Sequence, residues 1–290
     1  MSQVLLVTGS SRGLGREVVA KALAAGHRVV ATARRPGQLS DFVDAYPDAV
    51  RAVALDVADA AAAAHAVRVA VAEFGRLDVV VNNAGYADLA SVEDVTLDSF
   101  RAQIETNLLG VVTVTKAALP VLREQGSGHI VQVSSVGGRL ASVGLSAYQA
   151  AKWAVGGFSE VLAREVGPLG IKVTVLEPGG MRTDWAGSSM TIPPISPPYD
   201  ATVGERARLI QAGGSTPAGD PAKVADVLLQ VIDLAEPPLR LLLGTDAYTY
   251  ATRAAEQRAG SDRRWRRLSV STDHDEATDE DKDPLAHPNG

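Results

Sequence analysis

The sequence QVLLVTGSSRGLG occupies residues 3–15, and its pattern decides the fold. Residues 3–8 form a short, almost continuously apolar run, which is typical of a strand buried on both faces. Beyond the glycine-rich turn, residues 16–25 have the alanine- and valine-rich composition of a helix, which Gly26 ends. Residues 27–32 (HRVVAT) then read as a second strand. The stretch therefore predicts the first βαβ unit of a parallel sheet.

The alternation of strands and helices continues to residue 244. Further strands are predicted at residues 51–55, 77–81, 129–133, 171–176 and 239–244, and helices at residues 58–75, 97–125, 146–166, 201–211 and 221–234. Parallel strands joined in this way have right-handed crossovers and helices on both faces of the sheet. The predicted fold class is α/β, a doubly wound parallel sheet that forms a single domain over residues 1–259.

Two stretches lack this regularity. Residues 185–200 are rich in Ser and Pro and lack periodicity, and a long loop of this kind beside a site is typical of a substrate-binding loop or lid, here predicted over about residues 180–215 with the short helix 201–211 inside it. A short helix is expected to end near Ala259. Residues 260–290 then carry a basic block followed by an acidic block, which predicts a disordered, solvated tail. The alternative for this tail is an acidic segment that binds a partner.

Composition narrows the function classes. The net charge of −6 does not suggest a nucleic-acid partner. The chain has no cysteine, which excludes disulfides, thiol catalysis and zinc-thiolate sites, and we predict no metal site. The strand pattern starts at residue 3, leaving no room for a signal peptide, and no apolar run approaches the length of a membrane span. We therefore expect a cytoplasmic protein with no membrane partner.

The glycine-rich turn after the first strand predicts a dinucleotide site. Glycines let a backbone approach a pyrophosphate closely, and the helix that follows offers amide donors and the positive end of its dipole. The spacing here is G-x-x-x-G-x-G rather than the more common G-x-G-x-x-G. The residues predicted to contact the cofactor in this turn are Thr8, Gly9, Ser11, Arg12, Gly13, Leu14 and Gly15.

The end of the second strand predicts which dinucleotide binds. An acidic residue at this point would bind the ribose 2′-hydroxyl of NAD, but this chain has Arg34 and Arg35. Arg34 can hold the 2′-phosphate of NADP through a charge-assisted contact, and Arg12 can close the other side. NADP(H) is therefore predicted over NAD(H). The alternative is that Arg34 and Arg35 are solvated surface residues.

Later strand ends supply further candidates for the cofactor site. Asp56 and Val57 follow the third strand, where Asp56 either meets the adenine or caps the next helix, a role for which Asp59 competes. Asn83, Ala84 and Gly85 follow the fourth strand and form either a wall against the cofactor or a simple turn. A Pro-Gly turn follows the sixth strand and is predicted to lie at the nicotinamide end. Its candidate residues are Pro178, Gly179, Met181 and Thr183.

Residues 134–152 (SSVGGRLASVGLSAYQAAK) supply the candidate catalytic groups. Tyr148 and Lys152 are four apart at the start of a helix and therefore share a face, and Ser135 at a strand end can meet them. A nearby ammonium is expected to lower the tyrosine pKa from about 10 toward neutrality. Ser135 would donate a hydrogen bond to a substrate oxygen. The alternatives are a solvated Tyr-Lys pair and a serine that only caps.

These motifs together resemble the short-chain dehydrogenase/reductase superfamily. The motifs are TGSSRGLG, NNAG, Asn107, Ser135 placed thirteen residues before Tyr148, YQAAK and PGGMRT, and they appear in the family's order over about the first 190 residues. The resemblance implies a single-domain Rossmann fold and hydride transfer between a nicotinamide and an alcohol or carbonyl carbon.

The resemblance also implies roles for individual residues. Tyr148 would be the general acid or base, Ser135 would polarise the carbonyl, with Ser134 the lesser choice, and Lys152 would hold the nicotinamide ribose and lower the tyrosine pKa. Asn107, in the middle of an aliphatic helix, would position a water that links Lys152 to solvent; on residues alone, it either caps a kink or serves the site.

The resemblance further implies a substrate class and an assembly. Residues 219–229 and 237–247 are similar to a subgroup with retinol- and 17β-hydroxysteroid-dehydrogenase-like enzymes, which implies a bulky, apolar alcohol or ketone as substrate. A homodimer or homotetramer formed through the helices of Asn107 and Tyr148 is also implied. The expected activity is an NADP(H)-dependent oxidoreductase of class EC 1.1.1; the alternative is a regulatory or redox-sensing protein that binds NADP without turnover.

Overall fold

Seven parallel strands form one sheet in the computed structural model, which describes residues 2–183, 190–212 and 217–283. The spatial order is β3-β2-β1-β4-β5-β6-β7. The strands are β1 Val4–Val7, β2 Arg28–Ala33, β3 Val50–Ala54, β4 Val79–Asn82, β5 Gly128–Val133, β6 Ile171–Pro178 and β7 Arg240–Leu243. The predicted fold class, a doubly wound parallel sheet, is confirmed.

Helices cover both faces of this sheet. They are α1 Gly13–Ala24, α2 Ser40–Ala45, α3 Ala60–Phe74, α4 Leu97–Ile104, α5 Gly110–Gln125, α6 Ser146–Val166, α7 Glu205–Gln211, α8 Pro221–Asp233, α9 Thr245–Val270 and α10 Asp279–Lys282. Helices α1 and α8 pack together on one face, and α3, α5 and α6 cover the other.

The two faces of the sheet have separate apolar cores. In β1, Leu5 and Val7 belong to the core beneath α1 and α8, whereas Val4 and Leu6 belong to the core beneath α3, α5 and α6. The side chains of a strand point alternately to opposite faces, so a strand buried on both faces must be apolar throughout. This explains why β1 shows no alternation of polar and apolar residues in the sequence.

Several element boundaries differ from the predictions. Helix α1 begins at Gly13, so the last glycines of the turn form its first turn. Helix α9 was predicted to end near Ala259 but runs through Gly260 to Val270, because strong helix formers outweigh the roughly 1 kcal/mol that an interior glycine costs. Helix α2 was not predicted, since six residues are too few to show a helical period.

The predicted loop and tail lie partly outside the described residues. Residues 184–189 and 213–216, within the predicted substrate loop, and residues 284–290, within the predicted tail, are not described. The described residues of the loop include a 3₁₀ turn, Pro197–Tyr199, and a π-helical turn, Asp200–Gly204, that leads into α7. The domain boundary at residue 259 stays a prediction.

The direction of the strand order reverses between β1 and β4, and this places the site. In open α/β sheets, ligands bind beyond the carboxyl ends of the strands at such a reversal. The turns that follow β1 and β4, at Thr8–Gly15 and Asn83–Gly85, therefore open into the same crevice. Among the described residues, no helix is both long and apolar enough to cross a membrane.

Candidate active site

Hydrogen bonds join the glycine turn after β1 to the turn after β4. Thr8 Oγ1 accepts from the backbone amides of Asn83 at 2.9 Å and Ala84 at 3.0 Å, and Asn83 Nδ2 donates to Thr8 O at 2.9 Å. Gly9 has a φ of +67°, and a Cβ there would lie 2.9 Å from Ala84 Cα. Only glycine fits both this conformation and this close approach. The two turns form one rigid floor.

A cavity of about 860 Å³ lies above this floor. Every residue predicted for the cofactor lines it except Thr8 and Gly15. Those lining it are Gly9, Ser11, Arg12, Gly13, Leu14, Arg34, Asp56, Val57, Asn83, Ala84, Gly85, Asn107, Tyr148, Lys152, Pro178, Gly179, Met181 and Thr183. Thr8 and Gly15 instead pack against the turn after β4. Thr8 Oγ1 accepts from the Asn83 amide, and a Cβ on Gly15 would lie 2.4 Å from Asn83 Nδ2.

The predicted catalytic residues meet on one wall of the cavity. Tyr148 and Lys152 stand one turn apart on α6, with Lys152 Nζ 5.6 Å from the centre of the Tyr148 ring. The Ser135 hydroxyl, at the end of β5, is hydrogen-bonded to Tyr148 and accepts from the Gly137 amide at 3.0 Å. Lys152 Nζ donates to Val133 O at 2.8 Å. The structure therefore brings Ser135, Tyr148 and Lys152 together, while Ser134 Oγ donates to Lys152 O.

The acidity of the tyrosine differs from the prediction. Burial raises the pKa of Tyr148 to about 12, and the hydrogen bond from Ser135 only partly offsets this. Burial also lowers the pKa of Lys152 to about 8. The expected fall of the Tyr148 pKa toward neutrality is therefore not met in the chain by itself, because removing a phenolate from water outweighs the hydrogen bond from Ser135.

Asn107 is fully buried, and the chain itself occupies both of its amide hydrogens. Nδ2 donates to Tyr86 O at 2.9 Å and to Gln103 O at 2.8 Å, while Oδ1 accepts from the Tyr86 amide at 3.2 Å. These amide hydrogens therefore do not bind the water assigned to Asn107. A Cβ on Gly85 would lie 2.6 Å from Asn107 Oδ1, so the turn after β4 is packed directly against this side chain.

A second, smaller cavity opens at the end of β2, with a volume of about 490 Å³. Its lining residues are Ser11, Arg12, Arg34, Arg35 and Gln38. It thus combines three guanidinium groups with hydroxyl and amide donors and has no carboxylate in its lining. Guanidinium groups arranged in this way are suited to binding an anion.

The contacts of Asp56 and Asp59 show which of the two caps α3, while a contact between Asp56 and adenine stays a prediction. Asp59 caps α3, with its carboxylate accepting from the amides of Ala61 and Ala62. Asp56 accepts from the Ala58 amide at 3.1 Å and lines the large cavity. Asp56 is therefore free of the capping role.

Sequence reasoning missed some residues of the site. Arg35 and Gln38 line the small cavity, and their proximity to Arg34 in sequence was the available signal. Gln149 and Arg206 also line the large cavity; Gln149 is a variable position within the YQAAK motif, and Arg206 belongs to no motif. Arg206 reaches the site only because α7 folds back over it, which no local pattern reveals.

Comparisons with known proteins agree with this geometry. A family model described as short chain dehydrogenase matches residues 3–191. Among curated proteins, the chain is 55% identical over 273 residues to "Oxidoreductase BOA17" of Botryotinia fuckeliana, covering 94% of this chain and all (100%) of the relative.

Solved structures give the same result. The chain is similar to a short-chain dehydrogenase from Streptomyces avermitilis, with 40% identity and a TM-score of 0.88, covering 94% of this chain and 100% of that one. It is also similar to a serine dehydrogenase solved with NADP⁺, with 27% identity and a TM-score of 0.72, covering 83% of this chain and 94% of that one.

Proposed function

The chain belongs to the short-chain dehydrogenase/reductase superfamily, and on that premise we propose that it is an NADP(H)-dependent oxidoreductase that interconverts a carbonyl group and a primary or secondary alcohol. The observation that carries the proposal is the meeting of Ser135, Tyr148 and Lys152 on one wall of the 860 Å³ cavity. We place the nicotinamide against this wall.

The shape of the chain supports a dinucleotide. A side chain on Gly9 would collide with Ala84, and one on Gly85 would collide with Asn107, so the floor is open only because these positions lack a Cβ. We propose that the pyrophosphate lies over residues 9–15, at the N-terminus of α1, and that Asp56 and Val57 contact the adenine. Pro178, Gly179, Met181 and Thr183 would contact the nicotinamide end.

In the reducing direction, Tyr148 supplies the proton. When bound, the nicotinamide supplies the hydride to the carbonyl carbon. The raised pKa of Tyr148, about 12, keeps its Oη protonated at neutral pH, ready to protonate the developing alkoxide, which is more basic still. The Ser135 hydroxyl orients the carbonyl oxygen next to that proton. Lys152, held by Val133 O, places a positive charge beside the tyrosine as it loses its proton.

The small cavity supports NADP(H) as the cofactor. Arg12, Arg34 and Arg35 would surround the 2′-phosphate, whereas NAD has no group that needs three guanidiniums.

Exposed apolar side chains on the helices around the site support self-association. Leu109 beside α5 is 42% exposed, and Trp153 and Val161 on α6 are 43% and 57% exposed, which fits a homodimer or homotetramer formed through these helices.

The tyrosine role is tested by Tyr148→Phe. We expect NADPH oxidation with a panel of ketones and aldehydes to fall about 1,000-fold or more, because the proton donor is lost. NADPH binding, followed by nucleotide fluorescence, should stay within a few-fold of the unmodified protein. Undiminished turnover would refute the assignment, and NADPH binding without turnover in both proteins would favour the redox-sensing alternative.

The cofactor preference is tested by Arg34→Asp. The new carboxylate should repel the 2′-phosphate and accept from a ribose hydroxyl, so the ratio of kcat/KM for NADPH over NADH should fall about 100-fold. Arg16→Ala is the control, because Arg16 pairs with Asp41 outside the small cavity. An unmodified protein that already prefers NADH would contradict the role of Arg34.

A further inference from the structure

Arg206 is a partly buried cation whose charge is not matched by any described residue. It lines the large cavity, and its Nε is buried without a hydrogen-bond partner. Among the described residues, no carboxylate forms an ion pair with it, whereas its neighbour Arg208 pairs with Asp200 at 2.6 Å. A cation removed from water without a counterion is unfavourable, so such a group marks a place where an anion binds.

Arg206 lies at the tyrosine end of the cavity. A small apolar cluster unites Leu145 and Tyr148 with Val203 and Ala207, which stand on either side of Arg206 in the sequence. Arg12 and Arg34, by contrast, are exposed and line the small cavity at the end of β2. The phosphates of the cofactor are therefore accounted for at the other end, and Arg206 faces the space left for the substrate.

The other charged groups nearby are already engaged. Asp88 also lines the cavity, but its Oδ2 accepts from Ser99 Oγ at 3.0 Å and its Oδ1 from the Thr191 amide at 3.1 Å. Lys152 donates to Val133 O at 2.8 Å and serves the tyrosine. Among the described residues that line this end of the cavity, Arg206 is thus the cation that the proposed mechanism does not use.

We propose that Arg206 binds a carboxylate of the substrate, so that the substrate is an oxo acid, or the corresponding hydroxy acid, with an apolar chain. A guanidinium offers two parallel hydrogen bonds that match one carboxylate. Leu140 and Leu145 line the same cavity and would contact the chain between the two polar ends. The inference rests on the proposed function, because Tyr148 must act on the ketone or alcohol oxygen at the other end of the substrate from the carboxylate.

The reaction is unchanged by this assignment. A hydride from NADPH adds to the ketone carbon, the carbon–oxygen π bond opens onto oxygen, and the Tyr148 proton completes the alcohol, leaving NADP⁺. The carboxylate neither gains nor loses electrons. The carboxylate fixes the distance from Arg206 to the ketone. The position of the ketone along the substrate's carbon chain therefore determines which oxo acids can react.

A binding experiment tests the carboxylate site without turnover. Octanoate and octanamide share a chain but differ in charge, and each is titrated by calorimetry into the full-length protein saturated with NADP⁺. We expect octanoate to bind the unmodified protein more tightly, and Arg206→Met to weaken octanoate binding about 30- to 100-fold with little effect on octanamide. Arg206→Lys, which keeps the charge, should retain part of the preference.

Arg208→Met is the matched control. Arg208 is on the same helix, is exposed and pairs with Asp200, so octanoate affinity should not change in this variant. Melting temperatures of the three variants separate a misfolded protein from a lost contact. Octanoate that binds no better than octanamide, or that binds Arg206→Met as tightly as the unmodified protein, would overturn the inference.

A turnover experiment separates this inference from the proposed function. Oxo acids with the ketone at successive chain positions, each beside its methyl ester, are assayed by NADPH absorbance. We expect the acid over ester ratio of kcat/KM to fall about 30- to 100-fold in Arg206→Met, mainly through KM. Equal kcat/KM values for the esters and the acids would be consistent with the oxidoreductase activity but would contradict the carboxylate site. Octanoate binding that depends on Arg206, without turnover of any carbonyl compound, would support the carboxylate site and contradict the proposed oxidoreductase activity.

Discussion

Tyr148 and Lys152 show how burial competes with charge at a single site. The tyrosine is 7% exposed and the lysine 3%, so neither ion is well hydrated. Burial shifts the two pKa values in opposite directions, to about 12 and about 8, because it disfavours a phenolate and an ammonium alike. The chain alone therefore favours a neutral phenol, which is the form that the proposed reduction requires of its proton donor.

The buried lysine predicts a pH dependence of stability. Lys152 has a pKa of about 8 when folded and 10.5 when unfolded, so between these pH values the unfolded chain binds more protons. The stability contributed by this residue therefore rises with pH across that window. Below pH 8 the folded protein bears the full free-energy cost of burying the charged ammonium. The gap corresponds to on the order of 3 kcal/mol at most.

Urea unfolding of the nucleotide-free protein and of Lys152→Met measures this effect. The difference in unfolding free energy between the two proteins should shift in favour of the unmodified protein as pH rises from neutral to about 10. Tyr148 acts oppositely above its unfolded pKa of 10.0, where the folded state retains the proton and stability falls. A difference in unfolding free energy between the unmodified protein and Lys152→Met that does not change with pH would contradict a destabilising buried ammonium at Lys152.

At the scale of elements, the long helix beside the site is divided by one π-helical turn. Helix α4 passes through Glu105–Leu109 into α5, and Asn107 lies within that turn. Its side chain binds both backbone groups of Tyr86 as well as Gln103 O. The turn therefore attaches the helix to the loop after β4, and π turns are frequently found at functional sites.

Asn107→Ala should detach that loop. Three hydrogen bonds are lost at a fully buried position, leaving the Tyr86 amide and carbonyl without partners, so we expect a loss of about 2–3 kcal/mol in unfolding free energy. Activity should fall even well below the melting temperature, because Gly85 and Tyr86 form part of the cavity wall. Thermal unfolding and steady-state kinetics on the same sample measure both effects.

Asp59→Ala is the matched control for that variant. Asp59 caps α3 outside the cavity, so its loss should lower stability by about 1 kcal/mol while kcat/KM is retained. If Asn107→Ala lost stability but kept full kcat/KM, its role would be only structural.

At the scale of the whole molecule, one buried carboxylate joins parts that are distant in sequence. Glu177, at the end of β6, is fully buried and pairs with Arg139 after β5 and Arg240 on β7. Arg240 also reaches Glu160 on α6, and Arg258 on α9 donates to Arg139 O at 2.8 Å. The network fixes the edge strand β7 and helix α9 to the wall that carries Tyr148.

Glu177→Ala should therefore loosen this whole side of the protein. Arg139 would lose its carboxylate partner and Arg240 would keep only the partly exposed Glu160, so we expect a loss of about 3–5 kcal/mol in unfolding free energy by urea denaturation. Glu177→Gln keeps the shape and part of the hydrogen bonding, and should lose less. Equal stability of Glu177→Ala and the unmodified protein would show that the network contributes nothing.

Much of the site could be predicted because its residues lie in short motifs at strand ends. Gly9, Asn83 and Tyr148 each follow or adjoin a strand or helix that the local pattern identifies, and a parallel sheet brings strand ends together. Glu177 could not be recognised as an ion-pair centre, because its partners Arg139 and Arg240 are 38 and 63 residues away. The end of α9 was placed too early because the charged composition that begins at residue 260 was interpreted as a tail.

The sequence by itself determined the order of strands and helices along the chain, the glycine floor and the grouping of Ser135, Tyr148 and Lys152, since each follows from local periodicity or spacing. Only the tertiary structure decided the direction of the Tyr148 and Lys152 pKa shifts, the three-arginine cavity and the position of Arg206. The physical reason is that burial and charge neighbourhood depend on which distant segments pack around a side chain. Spacing along the chain records neither.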